Sequence, residues 1–138
     1  MYQYYGYNAN GLIGPSGDAP LGLGRRLAED GTFRAVREVE VIHPSGTVAI
    51  GDGVTGWGPN VIDGQGWLGR MAHFPPYGGS LSEAKKRINQ RHGGVVNVCF
   101  CDGHVVPLRL QVMYENTAGE YLRMWNRDDQ PHRERLTK

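Results

Sequence analysis

VVNVCFCDGHVVPLRL, residues 95 to 110, places two hydrophobic runs on either side of Asp102-Gly103. Asp-Gly between runs of this kind is a strong hairpin signal, because a tight type I′ turn needs positive φ at both central residues. The reading is an extended Val95 to Cys101, a two-residue turn, and a return from His104 to Leu110. In that register Cys101 faces His104, Phe100 faces Val105, and Cys99 faces Val106. Val96, Val98, Phe100 and Val105 then share one face, and Asn97, Cys99, Cys101, His104, Val106 and Leu108 share the other. Pro107 has no N–H for a ladder, which makes the return strand an edge strand or one bulged at that point.

Outward from the hairpin, Ser80-Leu81-Ser82-Glu83 has the form of a capping box, followed by an apolar stripe of Leu81, Ala84 and Ile88. This predicts a short helix through Gln90, stopped by Gly93-Gly94, with His92 at its exit. Upstream, Pro44-Ser45-Gly46 turns the chain into a β-branched strand, Thr47 to Ile50, which stops at Gly51-Asp52-Gly53. Thr32 to Val41 fits a strand slightly better than a helix. Tyr2, Tyr4, Tyr5 and Tyr7 suggest an aromatic-rich strand that ends at the Asn-Ala-Asn-Gly turn. Residues 54 to 79 are rich in Gly and Pro and read as a long surface excursion pinned by aromatics. Near the C-terminus, Thr117-Ala118-Gly119-Glu120 repeats the capping signal ahead of Tyr121, Leu122 and Trp125, a second short helix. Residues 127 to 138 read as a polar, frayed tail.

The totals fit one domain, 1 to 138, of the α+β class: a small antiparallel sheet with a central hairpin, two short helices and long Gly/Pro-rich loops. Glycine supplies 21 of 138 residues, about twice the ordinary share of roughly 7%. It is dispersed among valines and aromatics, which favours a loop-rich fold over disorder. With 15 basic and 14 acidic residues, nothing in the charge balance points to a nucleic-acid partner. No stretch has the length and apolarity of a membrane span, and MYQYYGYNANGL lacks the features of a signal peptide, so no membrane insertion is expected of this chain.

Three chemistries compete for the hairpin and its surroundings. Cys99, Cys101 and His104 would offer zinc sulfur and imidazole from one sheet face, with His92 as a fourth ligand. The Cys-x-Cys spacing on a straight strand holds the sulfurs apart, however, and two half-buried thiols packing as small hydrophobes is the stronger reading. His92 with Asp102 has the makings of an acid/base pair, yet no Gly-x-Ser-x-Gly elbow, His-Glu-x-x-His helix or phosphate-binding loop accompanies it. Turn chemistry explains Asp102 without a substrate. Asp128 and Asp129 are candidate calcium ligands, although no EF-hand spacing surrounds them. The expectation is therefore a non-catalytic protein with no cofactor, and calcium as the ion to test.

The spacing of His92 to Asp102-Gly103, with nine residues between, resembles the signature of the prepilin-type processing-associated H-X9-DG family, whose members resemble type II secretion pseudopilins. Other pieces follow in the same order. Tyr5-Gly6-Tyr7-Asn8 is similar to the family's Tyr-Gly-Tyr-Asn, and Pro44-Ser45 with Thr47 to Asp52 to its Pro-Ser and strand-Asp. Phe100-Cys101-Asp102-Gly103-His104-Val105 is similar to Phe-Ala-Asp-Gly-His-Val, and Trp125-Asn126-Arg127-Asp128 to a frequent ending. The resemblance implies a pseudopilin-like globular head, here its C-terminal portion without the N-terminal helix. It implies a structural role in the cell envelope or outside the cell, with other pseudopilin-like subunits or further copies of itself as partners. His92, Asp102 and Gly103 would then serve the hairpin architecture, with Asp52 as a partner on the neighbouring strand. The alternative function is an extracellular binding module in which Trp57, Trp67 and Tyr77 form a carbohydrate or peptide platform.

Overall fold

The computed structural model describes residues 5–13, 20–52, 67–71, 93–109, 112–113 and 116–136. The helix expected from Ser80 to Gln90, together with His92, Trp57 and Tyr77, lies outside the described residues.

Seven strands are described: β1 (Tyr5–Ile13), β2 (Arg26–Leu27), β3 (Phe33–Arg34), β4 (Val48–Asp52), β5 (Trp67–Met71), β6 (Val95–Phe100) and β7 (Val105–Arg109). The main sheet has the order β5-β1-β4-β6-β7, and β2 and β3 form a separate two-stranded ribbon. β1, β4, β6 and β7 pair antiparallel, as the sequence implies. β5 corrects that picture, because it joins β1 in parallel and turns part of the expected surface excursion into an edge strand. Flanking glycines disguise this five-residue strand in the sequence.

β7 forms the opposite edge, the position Pro107 requires. Phe100 N–H donates to the His104 carbonyl at 2.9 Å, so alternation along the ladder makes Asn97 and Pro107 a non-hydrogen-bonded pair. The proline nitrogen therefore faces outward. Its missing N–H costs the β6–β7 ladder nothing and removes a donor from the exposed edge, which discourages strand addition there.

The inner face of the sheet buries Leu12, Val48, Val96, Val98 and Phe100 against Met113, Leu122, Met124 and Trp125. Leu122 belongs to a single-turn helix, α1 (Gly119–Arg123), and Met124 and Trp125 follow directly. The second short helix is thus where the sequence puts it, but its cap differs. Ala118 is the N-cap and contributes no side-chain bond, while Asn116 Oδ1 accepts the Ala118 N–H at 2.9 Å. Thr32 to Val41 also differs from expectation: only Phe33–Arg34 forms a strand, and a 3₁₀ turn spans Glu38–Glu40. No described helix is long and apolar enough to cross a membrane.

The expected Asn-Ala-Asn-Gly turn is absent, and β1 runs through it with a register shift between Asn8 and Leu12. Gly11 takes a φ of +68° there, which suits glycine. A strap, residues 20 to 24, crosses this irregular stretch: Leu21 N–H donates to Asn10, Leu23 N–H to Asn8 and Gly24 N–H to Ala9, at 2.8 to 3.0 Å. The backbones approach so closely that a Cβ on Gly22 would sit 2.4 Å from the Gly11 nitrogen.

The C-terminal residues to 136 are tied down rather than frayed. Arg127 Nη1 donates to the carbonyls of Pro20 and Gly22, Arg135 Nη1 donates to that of Leu12, and Leu136 packs on the core. Arginine is suited to this work, since its planar fork reaches several carbonyls at once.

Candidate functional site

The hairpin tip differs from the sequence reading by one residue. Cys99 pairs with Val105 and Val98 with Val106, so the loop is Cys101-Asp102-Gly103. Gly103 N–H donates back to the Phe100 carbonyl at 3.0 Å. Among the three loop residues only Gly103 has positive φ, at +92°; this is a three-residue loop with glycine in the left-handed position, not a type I′ turn. The cause is long-range. Cys101 N–H donates to the carbonyl of Thr47, just ahead of β4, and this draws Cys101 out of the β6–β7 ladder.

The one-residue shift redistributes the side chains. His104 pairs with Phe100, and the two rings stack at 4.5 Å with a 3° interplanar angle. Val106 and Leu108 pack on the core, whereas Val105 is exposed beside Cys99. Cys99, Cys101 and His104 therefore do not share a face, and the geometric premise for a zinc set fails. Among the described residues no group of three His, Cys, Asp or Glu side chains is arranged to hold a metal ion.

Asp102 works within the turn. Its Oδ1 accepts the His104 backbone N–H at 3.1 Å and lies 2.5 Å from His104 Nδ1. The hydrogen bond from the His104 side chain is the main reason its carboxyl titrates below the usual range. Burial pushes the Cys101 thiol up, and the neighbouring Asp102 and Cys99 add to this, so Cys101 is the opposite of an activated nucleophile. Asp52 closes β4 opposite Tyr5, on the strand beside β6. Trp67 opens β5 at the register position of Tyr7.

Asp128 and Asp129 engage different histidines. Asp129 Oδ1 lies 3.6 Å from His43 Nδ1, while Asp128 Oδ2 lies 2.8 Å from His132 Nε2. His132 Nδ1 is in turn 2.6 Å from Glu134 Oε1. Both ring nitrogens can donate only when the imidazole is protonated. Burial alone would lower the His132 pKa, but the bonds to Asp128 and Glu134 outweigh it and raise the value above 6.5. A raised folded-state pKa stabilises the fold below the unfolded value, and that contribution is lost as pH rises through the folded value. We expect stability to decline on going up from about pH 6.5, and His132→Phe to flatten the decline in chemical denaturation series. An unchanged slope in the variant would contradict this.

Two buried asparagines that composition does not single out connect all these parts. Asn8 Nδ2 donates to the carbonyls of Val48 (2.8 Å) and Trp125 (3.0 Å), and its Oδ1 accepts Gly11 N–H. Asn126 Oδ1 accepts Leu12 N–H at 3.0 Å, and its Nδ2 donates to Leu122 and Gln130. β1, β4 and the α1 segment each break their regular backbone pairing where they meet, and these amides satisfy the groups left over. The signal lay in Tyr-Gly-Tyr-Asn and Trp-Asn-Arg-Asp, where each asparagine directly follows an aromatic residue.

The outer face of the sheet is different in kind. A bulge between Val48 and Ile50 reverses the direction of β4 side chains, so Val48 is buried while Ile50 is 42% exposed. Tyr7, Ile50, Cys99 and Val105 then stand in register across β1, β4, β6 and β7. Tyr7 is 42% exposed and Val105 61%, which makes this an apolar row on the face away from the core. At its Tyr7 end lies an open cavity of about 460 Å³ lined by Tyr7, Ala9, Leu23, Arg25, Ala35 and Val36 among others. Comparisons with protein-family models, with curated proteins and with solved structures each find no match.

Proposed function

We propose that this chain is a non-catalytic structural subunit, a pseudopilin-like head that contacts other subunits of a fibre or secretion assembly at the cell envelope. The observation that carries the reading is the apolar row Tyr7, Ile50, Cys99 and Val105, in which Cys99 is half-buried and the other three are exposed. A sheet face is solvated cheaply when its outward residues are polar, and this one carries an apolar row across four strands. Contiguous exposed apolar surface of that kind marks a contact with another macromolecule.

The motif residues support the same reading from the other side. Asp102 and Gly103 form a turn, and Asn8, Asn126 and Arg127 satisfy backbone groups. Their chemistry is consumed within the fold, and the contact surface is built from other residues.

Val105→Arg tests the proposal. Val105 is exposed, so its replacement is expected to leave the melting temperature within about 2 °C, as for most surface changes. In cells that make the protein, the wild-type chain is expected to sediment with sheared fibres from the envelope fraction, and the variant to remain in the supernatant. Equal sedimentation of both, or a wild-type chain found only as a free monomer, would overturn the reading.

A further inference from the structure

Four of the exposed large hydrophobic residues cluster in one short stretch: Leu27 at 63%, Phe33 at 61%, Val39 at 77% and Ile42 at 67% exposure. Leu27 and Phe33 are direct cross-strand partners on the β2–β3 ribbon. Most of the charges around them are paired internally. Arg26 bonds Glu40, Arg34 bonds Asp30, and Arg37 bonds Glu40. Arg25, Glu29 and Glu38 are the exceptions among the described residues. Arg25 lies 4.3 Å over the Phe33 ring and forms no ion pair with a described residue, and the Glu38 carboxylate forms none either.

Two of the unmatched charges, Arg25 and Glu38, stand beside complementary shapes. Arg25 lines the cavity with Tyr7, Leu23, Ala35 and Val36. Glu38 opens the 3₁₀ turn on which Val39, the most exposed large hydrophobic residue described, projects. A recess edged by a cation is therefore followed, two residues along the chain from its Val36 wall, by a projection edged by an anion.

We infer that this surface binds a second copy of the chain in a two-fold dimer, with Val39 of each copy entering the recess of the other and Glu38 meeting Arg25. A two-fold contact uses the same patch on both partners, so a recess and its own plug a few residues apart are what such a patch requires. The contact removes Val39, Phe33 and Leu27 from water twice over, and aromatic and arginine side chains are the types enriched at interface centres. An anionic membrane is a poorer occupant, because Glu29 and Asp30 stand at the tip of the ribbon between its arginines. The dimer deepens the proposal that the chain is an assembly subunit, and rests on it only in that both use exposed apolar surface.

Sedimentation velocity on the purified chain, from about 1 µM to about 1 mM, tests the dimer. The chain, in a Val105→Arg background that removes the outer-face contact, is expected to pass from monomer to dimer with rising concentration. Val39→Arg is expected to abolish the dimer. Arg25→Glu and Glu38→Arg each place like charges together and are expected to weaken it by more than about tenfold, while the double variant Arg25→Glu/Glu38→Arg restores it. All these residues are exposed, and unchanged melts verify folding. A monomer at every concentration, or a double variant as weak as the singles, would overturn the inference. Because the Val105→Arg background lacks the outer-face contact, failure of that contact and failure of the dimer give different results.

Discussion

Asn8→Asp is expected to destabilise the protein more than any other single-atom-scale change, by about 3–5 kcal/mol at neutral pH, which corresponds to a fall of roughly 10–20 °C in melting temperature. The substitution is nearly isosteric, so packing does not explain the loss. Asn8 is fully buried, and its amide nitrogen donates to two carbonyl oxygens, those of Val48 and Trp125. A carboxylate there replaces both donors with an acceptor, orphans the two carbonyls and buries a charge. Asn8→Ala leaves a small cavity and the same orphaned groups but no charge, and should cost less, about 2–4 kcal/mol. The pH dependence separates the two variants. Burial raises the folded-state pKa of the introduced Asp above its unfolded value of about 3.9. The protonated acid therefore restores one donor at low pH, and the deficit grows as pH rises through the folded value. Asn8→Asp should thus gain stability relative to Asn8→Ala on acidification in urea titrations. Parallel pH profiles for the two would contradict the assignment of Asn8 as donor to both carbonyls.

Gly22→Ala is the second large effect. The added Cβ would lie 2.4 Å from the Gly11 nitrogen, 2.6 Å from the Asn8 oxygen and 2.7 Å from the Ala9 carbonyl carbon. All three are backbone atoms, so no side-chain rotation relieves the contact. The strap must move away from β1, breaking the bonds from Leu21, Leu23 and Gly24 and loosening the grip of Arg127 on the Pro20 and Gly22 carbonyls. The expected cost is about 3 kcal/mol or more, at the upper end for overpacking. Gly31→Ala is the control. Its φ is +78°, but nothing lies within 4 Å of the added carbon, so only the left-handed backbone penalty of about 1–2 kcal/mol applies. Thermal melts in which the two variants lose equal stability would show that the strap does not press on β1 as described.

Both effects depend on contacts between distant parts of the chain, and this is where reading the sequence stops working. The hairpin, the strand after Pro44-Ser45-Gly46, the edge position of Pro107 and the helix near Trp125 all follow from local pattern: alternation, turn residues and a missing N–H. The register at the hairpin tip does not. Asp102-Gly103 is compatible with two-residue and three-residue loops, and the bond from Cys101 to Thr47 decides between them. That one-residue difference also removed the zinc premise, because in a strand a shift of one sends every side chain to the other face. The Asn8 link to Trp125 spans 117 positions, and no periodicity announces such a partner. β5 was hidden because its glycine-rich surroundings resemble a loop. The exposed apolar surface is least legible of all. Val105 reads as sharing the face of Val96, Val98 and Phe100 until the hairpin register puts it on the other one, and only the bulge in β4 shows that Ile50 faces the same way.

These parts give a division of labour. The motif asparagines, Arg127 and Asp102 satisfy the fold's own backbone, and the apolar row and the Val39 projection face outward with nothing in the chain to match them among the described residues. The alkylation rate of Cys99 reports on that division most directly, since this thiol stands in the middle of the row between Ile50 and Val105. In a Cys101→Ser background, iodoacetamide should modify Cys99 severalfold more slowly in sheared envelope fibres than in the purified monomer, with both states native throughout. Equal rates in the two states would contradict the proposal that the outer sheet face is where this subunit meets its neighbours.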